Sequence, residues 1–304
     1  MKYFYPILYI LVLQLISKES DHRQSYIQKQ LLNIFKPLSK EVQKYVEHYY
    51  VFSGERPETI SYIAFPHIYT GLSFFRNVII SRGDHEIQIE AGDNERSVHI
   101  EILGRYIKPV FVHYRGNFEE VAIIFKPFGI NPFIGSNTRL LLKDFSQALE
   151  LDNWTRFATI LFSVQATADR IRLIDEFLIA NICRPDDNWL GKALEHLEST
   201  STAMSIAEIA RLSEMTIKTF QRNFRSAIGY TPSEYRRVAR FRKSVHSKVI
   251  SNELKNLTEI TYAFQYYDQS YFIREFKKLT KLSPRRFFKS ITVLDKAGIV
   301  WEIR

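Results

Sequence analysis

The sequence predicts an α+β protein of two unlike parts, an antiparallel β-sandwich or barrel-like domain followed by helices. Three observations point there. Eight short runs rich in β-branched and aromatic residues, VEHYYVF, TISYIAF, YTGLSFF, NVIISR, HEIQIE, SVHIEIL, KPVFVHY and EEVAIIFK, fall between Val46 and Lys126. After Pro127 the apolar residues recur at i, i+3, i+4 and i+7, the period of amphipathic helices. The excess positive charge is confined to the last third: residues 192–304 hold 21 Lys and Arg and 11 Asp and Glu, a net +10, whereas residues 1–191 hold 21 and 22.

Each strand run is closed by turn residues such as Gly54, Gly83, Gly92, Asn94 and Gly116. The stretches DFSQALEL, WTRFATILFSV and ADRIRLIDEFLIANI read as helices, and everything after the polar RPDDN at 184–188 reads as all-helical. The expected division is therefore an extension over 1–30, a β-rich domain over 31–150, a helical connector and linker over 151–188, a helical domain over 189–290 and a tail over 291–304. The first sixteen residues, MKYFYPILYILVLQLI, are apolar behind Lys2 but short for a span of ~20 residues, and no small-x-small cleavage pattern follows them. They are taken as an extension outside the core or a wrongly assigned start, with an inner-membrane tether as the alternative.

Hydrophobic residues at 45% and charged residues at 25% are ordinary for a folded globular chain and exclude an intrinsically disordered one. One cysteine, Cys183, excludes an internal disulfide or a multi-cysteine zinc site and suits a reducing cytoplasm. Within FLIANIC it is expected to pack. No Walker loop, G-x-S-x-G, G-x-G-x-x-G or H-E-x-x-H occurs, and His67, His85, His99 and His113 form no H-x-H pair, so neither catalytic residues, a metal nor a cofactor is expected. Those histidines are expected to satisfy local hydrogen bonds.

The helical third contains an internal repeat. SIAEIARLSEMTIKTFQRNFRSAIGYTPSEY from Ser205 is followed by NLTEITYAFQYYDQSYFIREFKKLTKLSPRRF from Asn256, at an offset of 51 before the turn and 52 after it. Ser205 with Glu208, and Asn256 with Glu259, are spaced as capping boxes. Thr216 and Asp268 are placed to cap the second helix of each unit, and Thr231-Pro232 and Ser283-Pro284 put a capping hydroxyl before a first-turn proline.

In the first unit Ile217, Phe220 and Phe224 share the expected core face, leaving Lys218, Gln221, Arg222 and Arg225 outside. In the second, Phe272, Phe276 and Leu279 form the core stripe and Gln269, Ser270, Ile273, Arg274, Lys277 and Lys278 lie outside. A short helix, a turn and a helix exposing Arg, Gln and Lys is the arrangement by which helix-turn-helix proteins reach base edges. Between the units, Thr231 to Ile250 reads as one basic helix of about 30 Å, close to the ~34 Å that separates major-groove visits on one face of B-DNA.

The run from Ala210 through Met215-Thr216 to Phe220-Gln221-Arg222 and Phe224, the G-x-T-P-x-x-Y ending at Tyr235, and D-x-S-Y-F-x-R-x-F-K-K from Asp268 followed by S-P resemble the AraC/XylS family of transcription regulators. The resemblance covers about 100 residues and makes 189–290 an AraC-type DNA-binding domain. It implies regulated, sequence-specific binding near promoters with two recognition helices. Carried over by motif, Lys218, Gln221, Arg222, Ser270, Ile273 and Arg274 face bases, while Thr216, Arg225, Arg240, Gln269, Lys277 and Lys278 are expected at phosphates. The implied partners are double-stranded DNA, RNA polymerase, a small-molecule or protein effector at the N-terminal domain and a second copy of the chain. The β-rich half resembles the sensor domains of such regulators more loosely, in LSKEVQKYVEHYYVF and VAIIFKPFGINPFIG.

The second unit departs from the family pattern. Thr261 and Gln265-Tyr266 stand where a small residue and Gly-Phe are usual, and Lys281 stands in place of a glycine. Its shape is therefore expected to differ, with the first unit reading most of the sequence and the second anchoring through Lys277, Lys278 and Lys281. Two other readings compete: an architectural protein that binds duplex DNA without preference, and an enzyme with a β-rich domain fused to a DNA-binding module.

Overall fold

The structure, a computed structural model, describes residues 12–13, 32–54, 59–134, 144–183, 188–199, 204–249, 256–293 and 300–302. The expected apolar leader and the RPDDN linker lie almost wholly outside these residues. Among the described residues no helix is long and apolar enough to cross a membrane.

All eight expected strands are present: β3 Val46–Gly54, β4 Ile60–Ala64, β5 Thr70–Arg76, β6 Val78–Gly83, β7 Glu86–Ala91, β8 Val98–Leu103, β9 Val110–Arg115 and β10 Phe118–Phe125. They follow β1 Val12–Leu13 and β2 Leu32–Phe35 and precede β11 Ser146–Ala148. Strands β2 to β11 form two sheets, one of six strands in the order β11-β8-β5-β10-β3-β2 and one of four in the order β4-β9-β7-β6. Within these two sheets pairing is antiparallel except that β7 and β9 run parallel, with Ile87 opposite Val112. A purely antiparallel sandwich is thus corrected at one position: β8 is contributed to the six-stranded sheet, and the chain returns to the four-stranded one in its original direction.

The period-2 alternation of β-strands assigns the faces of the large sheet. Tyr50, Phe52, Phe75, Ala122 and Ile124 pack toward the small sheet with Ile87, Ile89, Val112 and Tyr114. The alternate residues Tyr49, Val51, Phe74, Val121, Ile123 and Phe125 pack on the other side against two helices, α2 Asp152–Ser163 and α3 Thr167–Ala180, through Trp154, Phe157, Leu161, Ile174 and Leu178. Because both faces are covered, β3 and β10 read as nearly continuous apolar runs. The short helix α1 Asn131–Ile134 closes the end of this second core.

DFSQALEL, expected to be helical, forms β11 instead. Ser146, Gln147 and Ala148 pair with Leu103, Ile102 and Glu101 on the open edge of β8, and the Ser146 hydroxyl donates to the Glu101 carboxylate. Edge backbone groups that need partners outweigh a weak helical period. Cys183, expected to pack, is exposed; its amide donates to the Pro132 carbonyl at 2.9 Å, which fixes the backbone and leaves the thiol outside.

The C-terminal part comprises α4 Asn188–Glu198, α5 Ile206–Leu212, α6 Ile217–Ile228, α7 Pro232–Val249, α8 Leu257–Ala263, α9 Gln269–Thr280 and α10 Pro284–Ser290. It is not wholly helical: β12 Ile291–Val293 pairs antiparallel with β13 Val300–Glu302, which pairs parallel with β1. Sequence-distant pairing of two- and three-residue strands leaves no local period to read.

The two parts share one continuous hydrophobic cluster. The loop after β4 is the main seam. Phe65 meets Phe287 with ring centroids 5.0 Å apart, the Tyr230 hydroxyl lies 3.0 Å from the His67 carbonyl and 3.1 Å from that of Tyr106, and Arg242 donates from Nε to the Pro66 carbonyl at 2.6 Å and from Nη2 to that of Phe65 at 2.5 Å. Gly229 ends α6 at φ 89°, and Arg105 of the β-rich part packs so closely over it that a Cβ there would overlap the guanidinium. The left-handed angle favours glycine, and any side chain there would have to displace the Arg105 guanidinium.

Candidate nucleic-acid interface

Both helix-turn-helix units are bounded by the local chemistry expected. The Glu208 amide donates to Ser205 Oγ at 3.2 Å and the Ser205 amide to Glu208 Oε2 at 2.7 Å; the Glu259 amide donates to Asn256 Oδ1 at 2.9 Å, with the return bond to Glu259 Oε2 at 3.4 Å. The second helices start at Thr216, which accepts from the Thr219 amide at 3.2 Å, and at Asp268, which accepts from the Tyr271 amide at 2.6 Å. Thr231 and Ser283 cap α7 and α10 in the same way.

Phe220, Phe224, Phe272, Phe276 and Leu279 are buried. Ile217, expected on the core face, is 48% exposed. It is the first residue of α6, so the turn before it carries the chain away from the core that Phe220 enters. The opposite face of α6 presents Lys218, Gln221, Arg222 and Arg225, all exposed and, among the described residues, without an ion pair or side-chain hydrogen bond. With Thr231 and Ser233 at the start of α7 these four line one open groove.

On α9, Gln269, Ser270, Arg274, Lys277 and Lys278 are exposed. Ile273 is half-buried against the core, so less of it is available to a base than the exposed face implied. Lys278 pairs with the buried Glu275 at 2.7 Å, and the Arg274 guanidinium lies 5.8 Å from the Tyr271 ring centre. Sequence reasoning passed over Tyr267 and Tyr271, 92% and 36% exposed. Tyr271 and Arg274 stand three apart on α9, a spacing that was readable, and Tyr267 lies just before the Asp268 cap.

The cations of α7 do not form a free basic stripe. Arg240 donates to the Gln265 carbonyl at 3.4 Å and lies 5.2 Å from the Tyr266 ring centre. Arg236 holds the Met204 carbonyl at 2.6 Å, Lys243 the Glu198 carbonyl at 2.5 Å, and Arg242 the β-rich part. These bonds add to the apolar packing of Tyr235, Val238, Phe241 and Val245, by which the linker helix is held in the core.

The missing glycines of the second unit do not abolish its turns. Gln265 and Lys281 adopt left-handed backbone angles at φ 52° and 60°, as Glu214 does at φ 55° in the first unit. A non-glycine residue there costs about 1–2 kcal/mol, against which glycine's larger entropy loss is about 0.5–1 kcal/mol. Lys281→Gly is therefore expected to stabilise the protein by about 0.5–1 kcal/mol in urea unfolding; an unchanged or lower midpoint would show that the Lys281 side chain contributes more than its backbone strain removes.

The histidines of the β-rich part are placed separately. His99 Nε2 lies 3.0 Å from Glu101 Oε2 and His113 Nδ1 2.7 Å from Ser61 Oγ. Among the described residues no group of three His, Cys, Asp or Glu side chains is arranged to hold a metal ion.

Residues 209–290 match the family model described as a helix-turn-helix domain, and the C-terminal part is thus a DNA-binding domain of the helix-turn-helix class. No curated protein sequence matches the chain. Among solved structures the chain is similar to ToxT from Vibrio cholerae at 1.65 Å resolution, with 12% identity, a TM-score of 0.40, and coverage of 85% of this chain and 98% of that one. A second ToxT structure, bound to (E)-4-(8-methylnaphthalen-1-yl)but-3-enoic acid, gives 13% identity, a TM-score of 0.41, and coverage of 85% and 99%.

Proposed function

We propose that this protein is a sequence-specific, AraC-type transcription regulator that reads duplex DNA through α6 and α9 under control of its β-rich N-terminal part. The observation that carries the reading is the row of unpaired Lys218, Gln221, Arg222 and Arg225 on the outer face of a capped second helix, in the third of the chain that holds its excess positive charge. Arg222 and Gln221 have the donor geometry for guanine and adenine edges, and Lys218 and Arg225 flank them for base or phosphate. On α9, Ser270, Arg274 and the exposed part of Ile273 are assigned to bases, and Gln269, Lys277 and Lys278 to the DNA backbone with Thr216; Arg240 joins them only by giving up its 3.4 Å bond to the Gln265 carbonyl. A regulator of this kind works on the chromosome in the cytoplasm, beside RNA polymerase, and a second copy of the chain would double the site read.

Selection of bound sequences from a random duplex pool tests the reading. A defined motif bound at least about 10³-fold more tightly than random duplex is expected, whereas equal binding of all duplexes would leave the architectural alternative. Arg222→Ala is expected to cost about 1–3 kcal/mol and to relax one or two positions of the motif. Lys277→Ala is expected to weaken all sequences alike and reduce the salt slope by about one. If only Arg274→Ala altered the selected motif, the first unit would not be the main reader.

A further inference from the structure

Between the two sheets lies a cavity of about 50 Å³, room for on the order of three water-sized groups. Glu120, from the middle of β10, reaches its wall and is 1% exposed. Its Oε1 accepts from the Tyr50 hydroxyl at 2.6 Å and from Ser73 Oγ at 2.5 Å, and its Oε2 from the Tyr114 hydroxyl at 2.6 Å. Tyr62 stacks on Tyr114 with centroids 6.0 Å apart and extends the ring of phenols.

Every one of those donors is neutral. Elsewhere in this sheet the chain gives its carboxylates cations: Glu101 has Arg82 at 2.5 Å, and Glu119 has Arg76 and Arg170 at 2.5 Å each. Asp175, held by Tyr49 and the Ser39 amide, has no cation either, but it lies outside the cavity wall. Among the described residues Glu120 is a carboxylate of the cavity wall without a counter-charge, and burial raises its pKa against the three hydroxyl bonds that lower it. A buried carboxylate needs a cation or a proton.

We propose that this cavity is the site of a small protonated amine, whose ammonium group supplies the counter-charge at Glu120 while the tyrosine hydroxyls accept its remaining N–H groups and the rings of Tyr62 and Tyr114 enclose it. The inference rests on the reading of the β-rich part as the regulatory half and names the ligand class of that half. An ammonium head has three donors for the carboxylate and phenol oxygens, and aromatic faces attract cations. An anionic ligand would put a second negative charge beside Glu120. The cavity also has a route to the DNA-binding part: His67 lines it, and the His67 carbonyl accepts from Tyr230 at the start of the α6–α7 junction.

Thermal unfolding of the full chain at neutral pH, with methylammonium and ethylammonium as probes and acetate, decanoate and ethanol as counterparts, tests the site. At least one amine is expected to raise the Tm saturably, and Glu120→Gln, which keeps the shape and removes the charge, is expected to weaken that amine at least tenfold. Ser73→Ala, which leaves the carboxylate in place, is expected to weaken it less, and it carries the comparison if Glu120→Gln does not fold. An amine response unchanged in Glu120→Gln, the absence of any amine response, or saturable binding of acetate or decanoate alone would overturn the proposal. Affinity for the selected duplex reads the other premise separately: an amine that saturates the cavity yet leaves DNA affinity unchanged keeps the amine site and removes the regulatory reading.

Discussion

Two histidines held neutral in the core are expected to withdraw about 4 kcal/mol of stability from this protein on acidification from pH 7 to pH 5, a loss that the buried Glu120 partly offsets. His48 on β3 and His67 in the loop after β4 are each held down to about 3, in both cases chiefly by burial, with Lys36 adding to the effect at His48 and Arg242 at His67. In the unfolded chain an imidazole takes up its proton near pH 6.5. The unfolded state therefore binds more protons than the folded one at any pH between about 3 and 6.5. Stability from this source is complete above 6.5 and falls as the pH drops through that window. Each histidine contributes about 2 kcal/mol between pH 7 and pH 5.

Glu120 works in the opposite direction. Its raised pKa gives a contribution that is complete below the ordinary glutamate range and lost as the pH rises through the folded value. One carboxylate opposes two imidazoles, so the net fall on acidification remains. Urea midpoints at pH 7 and pH 5 measure it, and His48→Gln should lessen the fall by about 2 kcal/mol. A midpoint that did not move between the two pH values would show that the histidines are not buried neutral.

Arg242→Ala is expected to destabilise the chain by about 3 kcal/mol and to separate the unfolding of its two parts. The side chain is 7% exposed and satisfies the carbonyls of both Phe65 and Pro66. Its loss leaves two buried acceptors without donors, at about 1–3 kcal/mol each, offset by no longer burying a guanidinium. Because these bonds lie in the seam between the β-rich part and α7, calorimetry should resolve two transitions in the variant where the wild type gives one. Arg242→Lys should recover only part of the loss, since one ammonium does not reproduce the two-pronged geometry. The variant should also raise the pKa of His67, whose depression Arg242 reinforces, and so flatten the acid limb described above. A single unshifted transition would place the coupling of the two parts elsewhere, in the Phe65–Phe287 contact or the Tyr230 hydroxyl.

Local chemistry made the helical third legible. Ser205–Glu208, Asn256–Glu259, Thr216, Asp268, Thr231 and Ser283 each state a helix start within four residues, and each cap forms. The strands β3 to β10 were equally readable, because dense β-branched and aromatic residues between turn glycines have few other solutions. The short edge strand β11 was not, since its pairing is set by the open edge of β8 and not by its own residues. Ile217 was misplaced for a related reason: periodicity gives an angle around a helix axis, but not where the core stops along it.

The sequence by itself determined strands β3 to β10 and the helices of the C-terminal part, where the two recognition helices begin, and that the positive charge belongs to the part that carries them. Only the tertiary structure decided how those charges are used. It left Lys218, Arg222 and Arg225 unpaired on α6 and turned Arg236, Arg240, Arg242 and Lys243 of the next helix toward carbonyl groups. It also brought Tyr50, Ser73 and Tyr114 from three different strands around Glu120, a constellation with no spacing in the chain. Capping and periodicity act over three or four residues, whereas the burial of a charge depends on surfaces brought together from distant parts of the chain, 70 positions apart for Tyr50 and Glu120 and 176 for Pro66 and Arg242.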